Sequence, residues 1–227
     1  MSAIFDEYAE HYDSWFKTPT GNKVFELELK TLFDLVRVRP FQGMKMLDVG
    51  IGTGIFALEF AKKGVEISGI DPSEKMIEIA VKRGLSARLG SGEAIPFGDN
   101  LFDVVLSMTS MEFSHNPDKF VSEMARVSKP TGIVVVAVLN LFSFYGAERR
   151  LKGLFKQSVF SGAHFYNFWE LKQLLRRHLS SVAVTSSVFF NPAPPAFVIS
   201  RALAIEGFGK KYCKPFGALL AGKGNKK

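Results

Sequence analysis

The sequence predicts an α/β fold. It is read as a doubly wound, mostly parallel seven-stranded sheet with a helical N-terminal cap, an antiparallel last strand and an insertion after strand five. Three observations predict this. Short apolar segments alternate with helical patterns between residues 45 and 139, the rhythm of a parallel sheet with right-handed crossovers. A glycine-rich loop, Gly50 to Gly54, lies between the first strand and first helix of that rhythm. The run Ile133 to Leu139 is continuously apolar and rich in Val, as a strand buried on both faces requires.

The elements follow in order. After an aromatic entry segment, apolar residues recur as Val24, Leu27, Leu32 and Leu35, a helical spacing that Pro40 and Gly43 stop. Lys45 to Val49 reads as the first strand, Gly50 to Gly54 as a tight loop, and Ile55 to Lys63 as a helix with Gly64 at its C-cap. Val65 to Ile70 is a second strand. Asp71-Pro72-Ser73 opens a helix to Arg83, with Pro72 in the first turn and Gly84 as the cap. Ser86 to Leu89 and Phe102 to Met108 are strands three and four. Asn116-Pro117-Asp118 opens a helix to about Ser128, Lys129 to Gly132 is a turn, and Ile133 to Leu139 is strand five. Asn167 to His178 carries a capping box, Asn167 with Glu170 three residues later. Val182 to Phe190 and Phe216 to Ala221 are the last strands, the final one antiparallel, with a helix inserted between Ala196 and Lys214. The chain is read as one domain of 227 residues: a cap (1–40), a core (41–140), a substrate-side insertion and helix (141–180), and C-terminal strands (181–227).

Composition narrows the function classes. Hydrophobic residues make up 47% and charged residues 22%, ordinary for a globular chain. The net charge of +7 does not by itself imply nucleic acid, and no nucleic-acid motif stands out. The positive charge is uneven: Arg149, Arg150, Lys152 and Lys156 form one cluster, and Lys210, Lys211, Lys214, Lys223, Lys226 and Lys227 crowd the C-terminus. Such runs read as a solvated face or tail, with attraction to an anionic substrate or peripheral contact with a membrane surface as the alternative. Cys213 is the single cysteine, which rules out an intrachain disulfide and a cysteine-cluster metal site. With no signal pattern at Met1 and no apolar run near ~20 residues, the cytoplasm is the default location.

The loop is the chemical centre of the sequence. Its pattern, Asp48-x-Gly50-x-Gly52-x-Gly54, differs from the Gly-x-Gly-x-x-Gly of nicotinamide enzymes, since Ile55 stands where that motif needs its third glycine. Asp48 places an acid two residues before the first glycine, which suits a cofactor with an amino group better than one with phosphates.

These features resemble the class I S-adenosylmethionine-dependent methyltransferases, in particular the ubiquinone/menaquinone group. Leu47 to Gly54 is similar to that family's first motif. Asp71 matches the acid that binds two ribose hydroxyls. Ser91-Gly92-Glu93-Ala94-Ile95-Pro96-Phe97 is similar to its adenine-side segment, although Ser91 stands where an aspartate is usual. Phe102-Asp103-Val104-Val105 and Arg126 to Gly132 resemble its fourth-strand motif and the turn before strand five.

The resemblance implies a Rossmann-like fold and S-adenosyl-L-methionine as methyl donor, with S-adenosyl-L-homocysteine as product. The implied cofactor residues are Tyr12, Asp48, Gly50, Gly52, Gly54, Asp71, Pro72, Met76, Ser91, Gly92, Glu93 and Met108. The implied partner is a small-molecule or lipid-like methyl acceptor. Methyl transfer from a sulfonium needs alignment and exclusion of water, and a general base only for a protonated nucleophile. His115, Glu112, Tyr12 and His164 are the catalytic candidates, and the aromatic segment from Phe142 to Tyr166, including Phe160, is the candidate acceptor wall. A non-catalytic binder of the same cofactor and a nicotinamide oxidoreductase remain the competing readings.

Overall fold

The computed structural model describes residues 2–37, 40–153 and 162–227. Phe160 and Lys156, and the side chains of Arg149, Arg150 and Lys152, lie outside what is described. Seven strands form one sheet in the order β3-β2-β1-β4-β5-β7-β6: β1 Lys45–Val49, β2 Glu66–Asp71, β3 Ser86–Leu89, β4 Phe102–Met108, β5 Ser128–Leu139, β6 Leu179–Ser187 and β7 Leu219–Lys226. The first five pair in parallel, and β7 pairs antiparallel with both β5 and β6. The expected fold class is therefore the observed one. Strand order reverses between β1 and β4, and in open α/β sheets the ligand crevice opens at the carboxyl ends beside such a reversal.

Two apolar layers hold the sheet, because alternate residues of a strand face opposite sides. Val134, Val136 and Val138 of β5 pack with Leu47, Val105 and Leu220 under α5 (Pro117–Val127) and α7 (Phe168–His178). Val135 and Ala137 pack on the other side with Met46, Leu106 and Ala221 under α2 (Pro19–Val36) and α3 (Ile55–Ala61). The capping box at Asn167 and Glu170 forms as predicted. The remaining helices are α1 (Ser2–Tyr8), α4 (Glu74–Lys82), α6 (Phe144–Gly153), α8 (Ala196–Ser200) and α9 (Ala202–Tyr212).

Several predicted boundaries move. Pro72 precedes Ser73, whose hydroxyl accepts the Met76 N–H and caps α4, so the proline lies outside the first turn. The expected turn at Lys129–Gly132 is an irregularity inside β5, where the register against β4 shifts. β6 begins and ends three residues early, because Val188 turns out of the sheet with φ 64° and packs with Phe190 against Val24 and Leu27 of α2. β7 lies three to five residues later than expected, and the lysines read as a solvated tail sit in or beside it. Lys223 donates to the Leu35 carbonyl at 2.9 Å, and Lys226 to Asn100 at 2.6 Å and the Arg126 carbonyl at 3.0 Å. Lys227 donates to the Arg176 and Arg177 carbonyls at 2.7 and 2.8 Å, in the last turn of α7 where a cation is favoured.

Candidate cofactor and acceptor site

A cavity of about 280 Å³ opens at the carboxyl ends of β1, β2 and β4. Its floor is the glycine loop. The Gly50 and Ile51 N–H groups both donate to the Ile70 carbonyl, at 2.8 and 3.0 Å, which bends the chain back over β2. The three glycines serve different ends. Gly50 has φ 78°, and a Cβ there would lie 2.3 Å from Ser110 Cβ. Gly52 has φ 55° with open space where its Cβ would be, so the backbone itself forms that part of the wall. Gly54 does not line the cavity: a Cβ there would meet Leu85 at 2.3 Å, so this glycine lets α3 pack closely on the chain beside α4.

Two carboxylates sit side by side at the loop. Asp48 is 2% exposed, and its Oδ1 has no hydrogen-bond partner among the described residues. Burial, and then the nearby Asp71, push its carboxyl up to about 7. Asp71 accepts the Gly52 N–H on Oδ2 and the Ser73 N–H on Oδ1, each at 2.9 Å. Burial raises its pKa, while the two backbone N–H donors oppose the rise. An ionised carboxyl has about four acceptor positions, so two remain open on Asp71.

The other walls come from three segments. Pro72, Met76, Ser91, Gly92 and Glu93, all expected on the cofactor side, line this cavity. Glu93, however, spends its carboxylate on the facing loop: Oε1 accepts the Ser114 hydroxyl at 2.8 Å and the His115 N–H at 2.7 Å, which holds its pKa below the usual range. Met108 closes the β4 side, followed by Thr109, which the sequence reading missed and which holds a strained φ of 48°. Tyr12 lines the mouth; burial pushes its phenol up to about 12, against a hydrogen bond with Thr109, so it remains a neutral donor at pH 7.

The N-terminal segment is latched over this mouth by contacts with no local sequence signature. Asp6 accepts the Ser73 hydroxyl at 2.5 Å and the Lys75 N–H at 3.2 Å. Asp13 accepts the Thr53 hydroxyl at 2.8 Å and pairs with Arg83, which also donates to the Thr53 carbonyl at 2.9 Å. Phe5 meets Phe113 edge-on, with ring centroids 4.9 Å apart. Below the cavity, Arg126 donates to the carbonyls of Ile95 and Phe97, both at 2.9 Å, and pairs with Glu123. That fork holds the 91–97 wall to α5, a physical role for the motif arginine.

A second cavity of about 400 Å³ adjoins the first through Ser114 and His115, which line both. His164, Tyr166, Glu170 and Arg177 line it further. His164 Nε2 lies 2.6 Å from Glu170 Oε1, and the Arg177 guanidinium pairs with Asp118. The Tyr166 hydroxyl is buried with no hydrogen-bond partner among the described residues. Glu112 lines neither cavity. It is 1% exposed, and its carboxylate accepts the Leu139 N–H at 2.6 Å, so it joins the chain after β4 to β5. Phe142 and Phe144 are exposed and Tyr145 is buried against α2 and α9, so the expected aromatic acceptor wall does not assemble from them. Among the described residues, no group of three or more His, Cys, Asp or Glu converges to hold a metal.

Comparison with known proteins agrees with this geometry. Residues 47–136 match the family described as a methyltransferase domain. The chain is 30% identical to the ubiquinone biosynthesis O-methyltransferase of Rhizobium etli, with 74% of this chain and 72% of that protein covered. It is 32% identical to an uncharacterized protein of Methanocaldococcus jannaschii, covering 82% and 85%. A Thermotoga maritima methyltransferase described as a possible histamine N-methyltransferase superposes with a TM-score of 0.80 at 26% identity, covering 100% and 99%. The chain belongs to the class I S-adenosylmethionine-dependent methyltransferases.

Proposed function

We propose that this protein methylates the hydroxyl of a small acceptor bound in the second cavity, using S-adenosylmethionine held in the first. The observation that carries the reading is the pair of adjoining cavities with the His164–Glu170 pair in the wall of the second. The first cavity fits the donor on its own chemistry. The orphaned Asp48 Oδ1 is a buried acceptor suited to an ammonium group, Asp71 has two acceptor positions for a pair of hydroxyls, and Gly52 leaves room for close approach. Met76 and Ser91, which line the same cavity, would supply apolar packing and one hydroxyl to the adenine ring.

The cofactor, when bound, supplies a methyl group on a positively charged sulfur, an electrophile that carries its own leaving-group activation. The residues of the chain then have three tasks. Tyr12 and the latched N-terminal segment close the mouth and exclude water. Ser114 and His115, shared by the cavities, bring the acceptor against the donor side. With Nε2 donating to Glu170, His164 would present Nδ1 to the acceptor hydroxyl and would take its proton as the methyl group is transferred to the oxygen. Similar proteins include a ubiquinone biosynthesis O-methyltransferase and one described as a possible histamine N-methyltransferase.

The test is transfer of labelled methyl to a panel of catechols, hydroxybenzoates and imidazole amines. Hydroxyl acceptors should be methylated, and His164→Ala should lower kcat by about 10²–10³ with KM for the donor unchanged. Transfer to amines alone, unaffected by His164→Ala, would exclude the proposed base and acceptor class.

A further inference from the structure

We propose that the segment from Ala196 to Phe216 docks this protein on an anionic lipid bilayer, with the cavity edge of the sheet facing the membrane. The inference does not depend on which acceptor is methylated.

Topology places this segment. β7 runs antiparallel to β5 and β6 antiparallel to β7, so β6 ends at the carboxyl edge of the parallel strands; Leu139, Ser187 and Leu219 are register partners there. The chain from 188 to 218 therefore leaves and re-enters the sheet at the edge where the cofactor cavity opens. α8 and α9 lie in that excursion.

α9 meets the fold through small residues and one paired acid. Ala202 and Gly209 are buried, and a Cβ on Gly209 would come 2.2 Å from the Phe189 ring. Glu206, also buried, accepts the Val188 N–H at 2.9 Å and pairs with Lys210 at 3.2 Å. The large side chains face water instead: Phe197, Leu203, Phe208, Tyr212 and Phe216 are 54–66% exposed. An ordinary surface helix buries its large apolar residues, so this arrangement is inverted.

Charge selects the occupant. Arg201, Lys211 and Lys214 are exposed among these aromatics, and Glu206 is the sole acid from 196 to 216 and is buried. Exposed cations interleaved with large apolar side chains match an anionic headgroup layer over acyl chains. Other exposed aromatics lie at the same edge. Phe142 and Phe144 follow the end of β5, and Tyr8 and Trp15 lie on the segment over the cavity mouth. Among the described residues no helix is long and apolar enough to cross a membrane, so the contact is peripheral.

The experiment is co-sedimentation of the full-length protein with vesicles of phosphatidylcholine, and of an equal mixture of phosphatidylcholine and phosphatidylglycerol. The protein is expected to pellet with the mixed vesicles and to remain in solution with the neutral ones. Phe208→Ser with Tyr212→Ser should weaken binding by tenfold or more while S-adenosylhomocysteine binding by calorimetry is kept. Lys211→Glu with Lys214→Glu, confined to exposed positions, should weaken it by about fivefold or more per charge at low salt. Equal partition with both vesicle types, or a wild-type pellet unchanged by either pair of substitutions, would overturn the proposal. So would a wild-type dimer by sedimentation velocity that Phe208→Ser with Tyr212→Ser converts to monomer without any vesicle binding, since the face would then join two copies of this chain.

Discussion

At Asp48 the side chain of one residue sets both stability and binding. Its carboxyl is buried and stands at about 7 in the folded chain, against about 3.9 when unfolded. The folded state therefore binds more protons between those values, and stability falls as pH rises from about 4 through about 7. Asp48→Asn removes that titration. Its Tm should exceed that of the wild type above about pH 7, at roughly 2–4 °C per kcal/mol recovered. Affinity for a cationic ligand should rise with pH toward about 7 in the wild type and stay flat and at least tenfold weaker in the variant. Thermal denaturation and calorimetry with S-adenosylmethionine at about pH 6 and about pH 8 check both statements. The neighbouring glycines show what spacing alone conceals. Gly50 is demanded by Ser110, Gly52 by the open cavity and Gly54 by Leu85, three reasons behind one motif.

Whole elements also act through contacts remote in sequence. The N-terminal segment, from α1 through the turn at Tyr12–Lys17, is tied to the site by Asp6 at the start of α4 and Asp13 at Thr53 and Arg83. These contacts cross the cavity mouth and leave the sheet untouched. Asp6→Ala with Asp13→Ala should speed S-adenosylhomocysteine dissociation by about tenfold or more while shifting Tm by only a few degrees, because three hydrogen bonds and one partly exposed ion pair at the molecular surface contribute little to global stability. Stopped-flow displacement against differential scanning calorimetry separates the two effects. The capping box of α7 was legible because both partners lie within one turn. The end of β6 was not, because Val188 and Phe190 satisfy an apolar pattern whether they face the sheet or the α2–α9 cluster.

For the whole molecule, the sheet is completed from the end of the chain. β7 lies between β5 and β6, so the last residues of the sequence supply an interior strand. Deleting residues 219–227 should leave the edges of β5 and β6 unpaired and prevent formation of the native sheet. Loss of cooperative thermal unfolding by circular dichroism would show this; a cooperative transition near the wild-type Tm would contradict it. Leu219 to Ala221 show as apolar, but Gly222 to Lys227 look like a basic tail, and only their pairing and the carbonyls that their lysines reach make them structural.

The sequence by itself determined the α/β class, the first four strands to within a residue, and the glycine-rich loop with Asp48 and Asp71 beside it. Strand periodicity, glycine conformation and the spacing of acid to glycine are local properties, complete within a few residues. The tertiary structure alone decided that Glu93 ties two loops together, that Glu112 is a buried brace, and that His164 meets Glu170 beside a second cavity. It also decided that α9 turns its aromatics outward. The first two join groups 21 and 27 residues apart, and the cavity beside His164 and the outward face of α9 depend on how those segments pack on the rest of the fold, which no local spacing encodes.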